Sequence, residues 1–216
     1  MTASQDLVIV GIGGFGRETL DVVEAINEVD ETAAFRVLGV IDSAPSPVHL
    51  ERLTARNVPY LGTEAEWLST DRPVAYLVGV GSPRARFAIA ARFDAAGHTA
   101  AVAVHPSATI GSLTTVAPGT IVCAGAQIST NVHLGSHAHV NPNATIGHDS
   151  RLEDFVSVNP GAVVSGEVEV GEQSLVGAGA VVLQGLRIGP RSVVGAAACV
   201  VRDVPADAIV KGVPAR

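Results

Sequence analysis

Aromatic side chains make up only 4% of the 216 residues, with a single Trp and a single Met, although 47% of the chain is hydrophobic. The apolar mass therefore lies in Val, Ile, Leu and Ala, and a core of small, branched side chains favours tightly wound β structure over bulky globular packing. Cysteine is equally scarce. Cys123 and Cys199 are too few for a disulfide framework and, with no coupled base nearby in sequence, read as inert thiols. Basic runs are missing and the net charge is −7, which excludes nucleic acid and anionic membrane as expected partners. No apolar run approaches the length of a membrane span, so no membrane insertion is expected. Met1–Asp6 shows no secretory signal, and the cytoplasm is the expected compartment.

What the chain does contain is a repeat. From Ile110 every sixth residue is Ile, Val or Leu, through Leu134, Val140, Ile146 and Val158 to Val200, without a break. The residue four places after each is nearly always small, as in Ala126, Ala138, Ala144, Ala162, Ser174 and Ala198. Six is the period of neither an α-helix nor an alternating strand. It suits a β-helix of three flat faces, in which each hexapeptide supplies a short strand and a turn. The aliphatic residues are expected to point inward at the corners, with Gly or Asn just after them (Gly111, Gly135, Asn141, Gly147) taking up turn conformations. Three hexapeptides make an eighteen-residue coil, so about five coils stack at about 4.8 Å each.

The front of the chain reads differently. Leu7–Val10 suits a strand, Gly11 to Gly16 a glycine turn of the G-x-G-x-x-G pattern, and Arg17–Val29 a helix with Leu20, Val23 and Ile26 on one face. A second strand at Arg36–Ile41 ends in Asp42, and a third at Val74–Val80 leads through Gly81 into a helix at Arg84–Ala96. Such a turn lets phosphate approach backbone at a helix N-terminus, or lets strand and helix pack closely. A dehydrogenase would need a hydride-transfer domain, whereas the repeat occupies the rest of the chain. The expected architecture is an α/β Rossmann-like domain over residues 1–104 and a left-handed parallel β-helix over 105–216.

The repeat, the closing segment Ile209–Arg216 (IVKGVPAR) and the Gly-His-Asp run at Gly147–Asp149 together resemble the left-handed hexapeptide-repeat acyltransferases. With the glycine-turn domain in front, the whole chain is similar to the bacterial sialic-acid O-acetyltransferases and nucleotide-linked amino-sugar N-acetyltransferases. The resemblance implies the left-handed winding, a homotrimer with sites between subunits, and acetyl-CoA as co-substrate. It implies His148 as general base, with Asp149 supporting it, for attack by a sugar amine on the thioester. It carries nucleotide-sugar binding to Gly13, Gly14, Phe15, Asp42 and Gly81, and the acetyl-CoA path to Asn141, Ser157, Gly166, Ala178 and Ala196. Members often have His where this chain has Phe15 and Ser157.

Imidazole, with an ordinary pKa of about 6.5, suits proton acceptance at neutral pH. Transfer to a sugar hydroxyl would use the same motifs. Two readings of another class remain. His133, His137 and His139 invite a metal-dependent hydratase resembling the γ-class carbonic anhydrases, and a non-catalytic trimeric scaffold would sense a nucleotide-sugar without turning it over.

Overall fold

The computed structural model describes residues 4–30, 34–70 and 72–216. Of the segment inspected for a leader, residues 1–3 lie outside these. The first half is built from β1 (Gln5–Val10), α1 (Gly14–Val29), β2 (Phe35–Ile41), α2 (Pro47–Thr54), α3 (Glu64–Leu68), β3 (Ala75–Val78), α4 (Pro83–Ala95) and β4 (Thr99–Ala100). The sheet is parallel throughout, in the order β2-β1-β3-β4. Alternation decides its two faces. Leu7 packs with Val22 and Val23 of α1, and Ile9 packs with Leu20. Val8 and Val10 meet Trp67 of α3 and Ile89 and Phe93 of α4 on the opposite side. With both faces covered, β1 reads as one apolar run.

The sequence reading places helices only near 17–29 and 84–96, and the structure adds α2 and α3. Their signals are short and polar. Ser46 caps α2 ahead of Pro47, and Thr63 with Glu66 forms a capping box at α3.

The second half is a left-handed parallel β-helix of about six turns. Two-residue strands recur from Ala103–Val104 to Ile209–Val210, in parallel sheets of five, seven and six strands. Neighbouring strands pair at an offset of eighteen, as in His133 opposite Thr115 and Arg151. The winding exceeds the five coils expected because it opens at Ala103 and continues past Val200. Two further corrections concern its geometry. The repeated aliphatic residue is the second of each two-residue strand and points inward from a flat face, not from a corner; Leu134, Val140, Ile146 and Val158 are fully buried there, together with Ala126, Ala138 and Ala144. The glycines that follow it do not supply the left-handed turn conformation. That falls two residues later, on Asn131, His137, Asn143, Asp149, Phe155 and Glu167 among others, each with φ of 55–60°. Gly135 and Gly147 are required for closeness instead, since a Cβ there would lie 2.6 and 2.4 Å from backbone atoms of the next coil.

The three outer faces differ. The five-stranded face carries Arg151, Glu169 and Arg187 and is exposed. The upper part of the seven-stranded face is covered by the first half, which buries Ile121, His139 and Ser157. The six-stranded face turns apolar toward its lower coils, with Val163, Val181 and Cys199 half-buried and Leu183 and Val201 exposed at its edge.

Two histidines are sealed into the junction between the halves. The His139 ring stacks on Phe15 with centroids 4.4 Å apart, and His137 stacks on Phe155 at 5.0 Å. Burial pushes the His137 pKa down to about 4, the nearby Asp94 opposing and Arg86 reinforcing the shift. Burial, with Arg86 and His137 adding to it, holds His139 well below its ordinary value. The unfolded chain therefore takes up protons on both residues near pH 6.5 while the folded one does not. Stability from this source is complete above pH 6.5 and declines as the pH falls toward 4, by up to about 1.4 kcal/mol per pH unit for each histidine. Urea titrations at pH 7.5, 6 and 5 should show the decline, and His139→Leu should flatten it; an unchanged slope in that variant would show that His139 is not its source.

Candidate active site

His148 stands on a solvent-facing turn between the six- and five-stranded faces, and 49% of its side chain is exposed. The next residue, Asp149, is one of the left-handed positions, with φ 59°, and its carboxylate returns to the imidazole. His148 Nδ1 lies 2.7 Å from Asp149 Oδ2, and Asn131 Nδ2 donates to Asp149 Oδ1 at 2.7 Å. The Asn131 bond first, and then His148, hold the Asp149 carboxyl below its ordinary pKa. An ionised Asp149 favours the tautomer in which Nδ1–H donates a hydrogen bond to its carboxylate, and that tautomer has its lone pair on Nε2. Gly166 sits one coil below. A Cβ there would be 2.6 Å from Nε2, so the missing side chain keeps that nitrogen open.

The remaining cofactor-path residues separate into three settings. Ala178 and Ala196 are exposed and stacked at the turn between the seven- and six-stranded faces. One chain therefore presents them on a different edge of the prism from His148 and Gly166. Asn141 is buried, and its side chain donates to the Val158 carbonyl at 2.9 Å, so it braces the stack. Ser157, expected along an acetyl-CoA path, is only 1% exposed; it is closed into the junction and accepts from Arg86 Nη2 at 2.8 Å. That position faces inward because the first half covers the strand on which it sits.

In the glycine turn the motif divides its labour. A Cβ on Gly16 would lie 1.9 Å from the Gly11 carbonyl oxygen, and one on Gly79 would lie 2.5 Å from Gly16 Cα. Gly11, Gly16 and Gly79 therefore let strand ends and helix start close together. Gly13, Gly14 and Gly81 face open space. Gly13 is the N-cap of α1 and supplies no side-chain cap, and the first turn holds no acidic residue, so the N–H groups there suit an anion. Asp42 fixes the loop, accepting from Ile12 N at 2.9 Å and Ala44 N at 2.8 Å. Phe15 turns away from the open side onto His139.

The three histidines of the metal reading do not assemble within one chain. His133 lies on the five-stranded face, 2.9 Å from Thr115 Oγ1, while His137 and His139 are inside the junction. Among the described residues, the one group of three with ligand atoms within 4.8 Å of one another is His148, Asp149 and Glu167, all exposed. Burial pushes the Cys123 thiol up to about 12, which agrees with an inert role. Among the described residues no helix is long and apolar enough to cross a membrane. Sequence reasoning missed Arg86, a fully buried cation beside Gly81 and Ser157; an Arg on a helix carries no sign in sequence that it will be enclosed.

Residues 6–93 match the family described as the PglD N-terminal domain. Over nearly its full length the chain resembles solved structures. PerB from Caulobacter crescentus, in complex with CoA and GDP-perosamine, is 29% identical with a TM-score of 0.85, over 98% of this chain and 96% of that one. A histidine-to-asparagine variant of perosamine N-acetyltransferase and a histidine-to-alanine variant of GDP-perosamine N-acetyl transferase, both from Caulobacter crescentus with CoA and GDP-perosamine, match at 28% identity. The acetyltransferase domain of PglB from Neisseria gonorrhoeae, in complex with acetyl coenzyme A, is 28% identical with a TM-score of 0.87, over 99% of both chains. WeeI from Acinetobacter baumannii, at 24% identity and a TM-score of 0.85 over 100% of this chain and 99% of that one, shares the fold. No curated protein matches the sequence.

Gly16→Ala should destabilise the protein by about 1–3 kcal/mol, the usual range for forcing extra volume into a packed site. Gly14→Ala should leave stability within experimental error in the same urea titration, and equal stability of the two variants would refute the division between packing and open glycines.

Proposed function

We propose that this chain, a hexapeptide-repeat sugar acetyltransferase, moves the acetyl group of acetyl-CoA onto the amine of a nucleotide-linked amino sugar. The observation that carries the reading is the His148–Asp149 pair at 2.7 Å, exposed on a solenoid turn with Nε2 open above Gly166. In the reaction the sugar amine attacks the thioester carbonyl while Nε2 accepts its proton. Asp149 holds the Nδ1 proton and stabilises the imidazolium. The tetrahedral oxyanion then collapses, the C–S bond breaks, and the CoA thiolate leaves with the proton returned by His148. The N–H of Gly166 donates to no backbone acceptor among the described residues, and the residue lies under the imidazole. We assign it as the donor to the oxyanion.

Residues 1–104 hold the nucleotide-sugar in this reading, and 105–216 hold the acetyl-CoA. The pyrophosphate sits at the start of α1 over Gly13 and Gly14, with Asp42 shaping the loop and Gly81 bordering the sugar. Phe15 contributes through its stack on His139 rather than as a polar contact. An amine acceptor is preferred over a hydroxyl because solved relatives with CoA and GDP-perosamine bound are N-acetyltransferases. The hydratase and scaffold readings draw no support from the scattered histidines or from the intact dyad.

A homotrimer completes the site. His148 and Gly166 lie on one edge of the prism, Ala178 and Ala196 on another, and a neighbour packed along the apolar six-stranded face brings unlike edges together to enclose the acetyl-CoA. Dependence on acetyl-CoA agrees with the cytoplasm as the working compartment.

His148→Ala should lower turnover by about 10²–10⁴-fold while CoA binding and assembly are retained; full activity would end the reading. A thermal-shift screen with UDP-, GDP-, dTDP- and CMP-linked amino sugars should show one class stabilising the native state.

A further inference from the structure

Arg86, on α4, is fully buried and meets no carboxylate among the described residues. Its donors reach across the junction between the halves. Nη1 donates to the carbonyls of Val80 at 2.9 Å and Gly81 at 3.3 Å, both in the loop after β3. Nε donates to the His137 carbonyl at 2.9 Å. Nη2 donates to the Phe155 carbonyl and to Ser157 Oγ, each at 2.8 Å, and more weakly to Val156 O at 3.4 Å. The Ser157 hydroxyl itself lies 3.4 Å from the Gly81 carbonyl. A planar guanidinium holds its donors in a fixed fork, so one side chain sets the angle and distance between the Gly81 loop and two successive coils of the solenoid.

We infer that Arg86 is a positioning residue that locks the nucleotide-sugar loop onto the solenoid, and thereby sets the approach of the acceptor amine to the acyl group. The inference rests on the acetyltransferase reading for its effect on rate, but the lock itself does not depend on the substrate. Displacement of a bound reactant by about 1 Å costs on the order of 10²-fold in rate. Lys replaces the planar fork with three N–H donors crowded on one nitrogen, which cannot span the separated acceptors of both sides at once.

Arg86→Lys should assemble as the parent does and bind CoA and nucleotide with affinities within about threefold, while kcat for sugar acetylation falls about ten- to a hundredfold. Amide hydrogen exchange should rise at least about tenfold at Gly79 and Ala85, whose N–H groups donate to Val10 O and Ser82 Oγ on either side of the loop, and stay unchanged at Val158 and Val176, since local opening reports on local contacts. The exchange result stands whatever the substrate proves to be, and separates failure of the lock from failure of the functional reading. Unchanged exchange and kcat in the folded variant would overturn the inference, as would a loss of CoA binding in step with kcat. If Arg86→Lys does not fold, Ser157→Ala removes one acceptor of the fork; it should raise exchange at the Gly81 loop in the same direction by about threefold, and no rise would equally overturn the proposal.

Discussion

Backbone stacking at an offset of eighteen residues governs the second half of this protein. Each strand pairs with the strand one coil away, and the turns join the same ladder, as where Glu167 N donates to the His148 carbonyl at 2.8 Å. The triangular interior accepts only a narrow range of side chains, so Val, Ile, Leu and Ala alternate inward and are fully buried. Once that registry is set, whatever stands outward at one turn lies directly above its counterpart in the next coil. His148 over Gly166 is such a pair, and the open Nε2 follows from the missing side chain beneath it.

The left-handed turn position adds a second consequence. At Asp149 the backbone adopts φ 59°, which an Asp tolerates better than a branched residue. The same conformation lets its carboxylate fold back to Nδ1. Structural and chemical roles coincide in one residue, with Asn131, itself a left-handed turn residue one coil above, securing the second carboxylate oxygen.

Between the halves the junction sets polar groups beside an apolar patch, where Ile121 and Cys123 meet Val22, Val23 and Leu77. A buried Arg86 surrounded by carbonyl groups, two histidines held neutral, and aromatic stacks on Phe15 and Phe155 fill it. Burying an unpaired cation costs heavily unless its donors are satisfied. Here they are met by groups from both sides, and directional bonds oppose sliding in a way that methyl groups do not. The histidines carry the corresponding liability toward acid.

Much of this was legible in the chain itself. The unbroken period of six determines a three-faced β-helix because it acts through local covalent spacing, and the adjacency of His148 and Asp149 determines their pairing for the same reason. The strand–glycine–helix order likewise specifies a parallel α/β sheet at the front. Tertiary structure alone decided which face of the prism the first half covers, because every hexapeptide has the same inward pattern and nothing local marks one face for docking. That choice buried Ser157 and drew Phe15 onto His139. It also enclosed Arg86, whose role exists only where two parts of the chain, distant in sequence, supply its acceptors together.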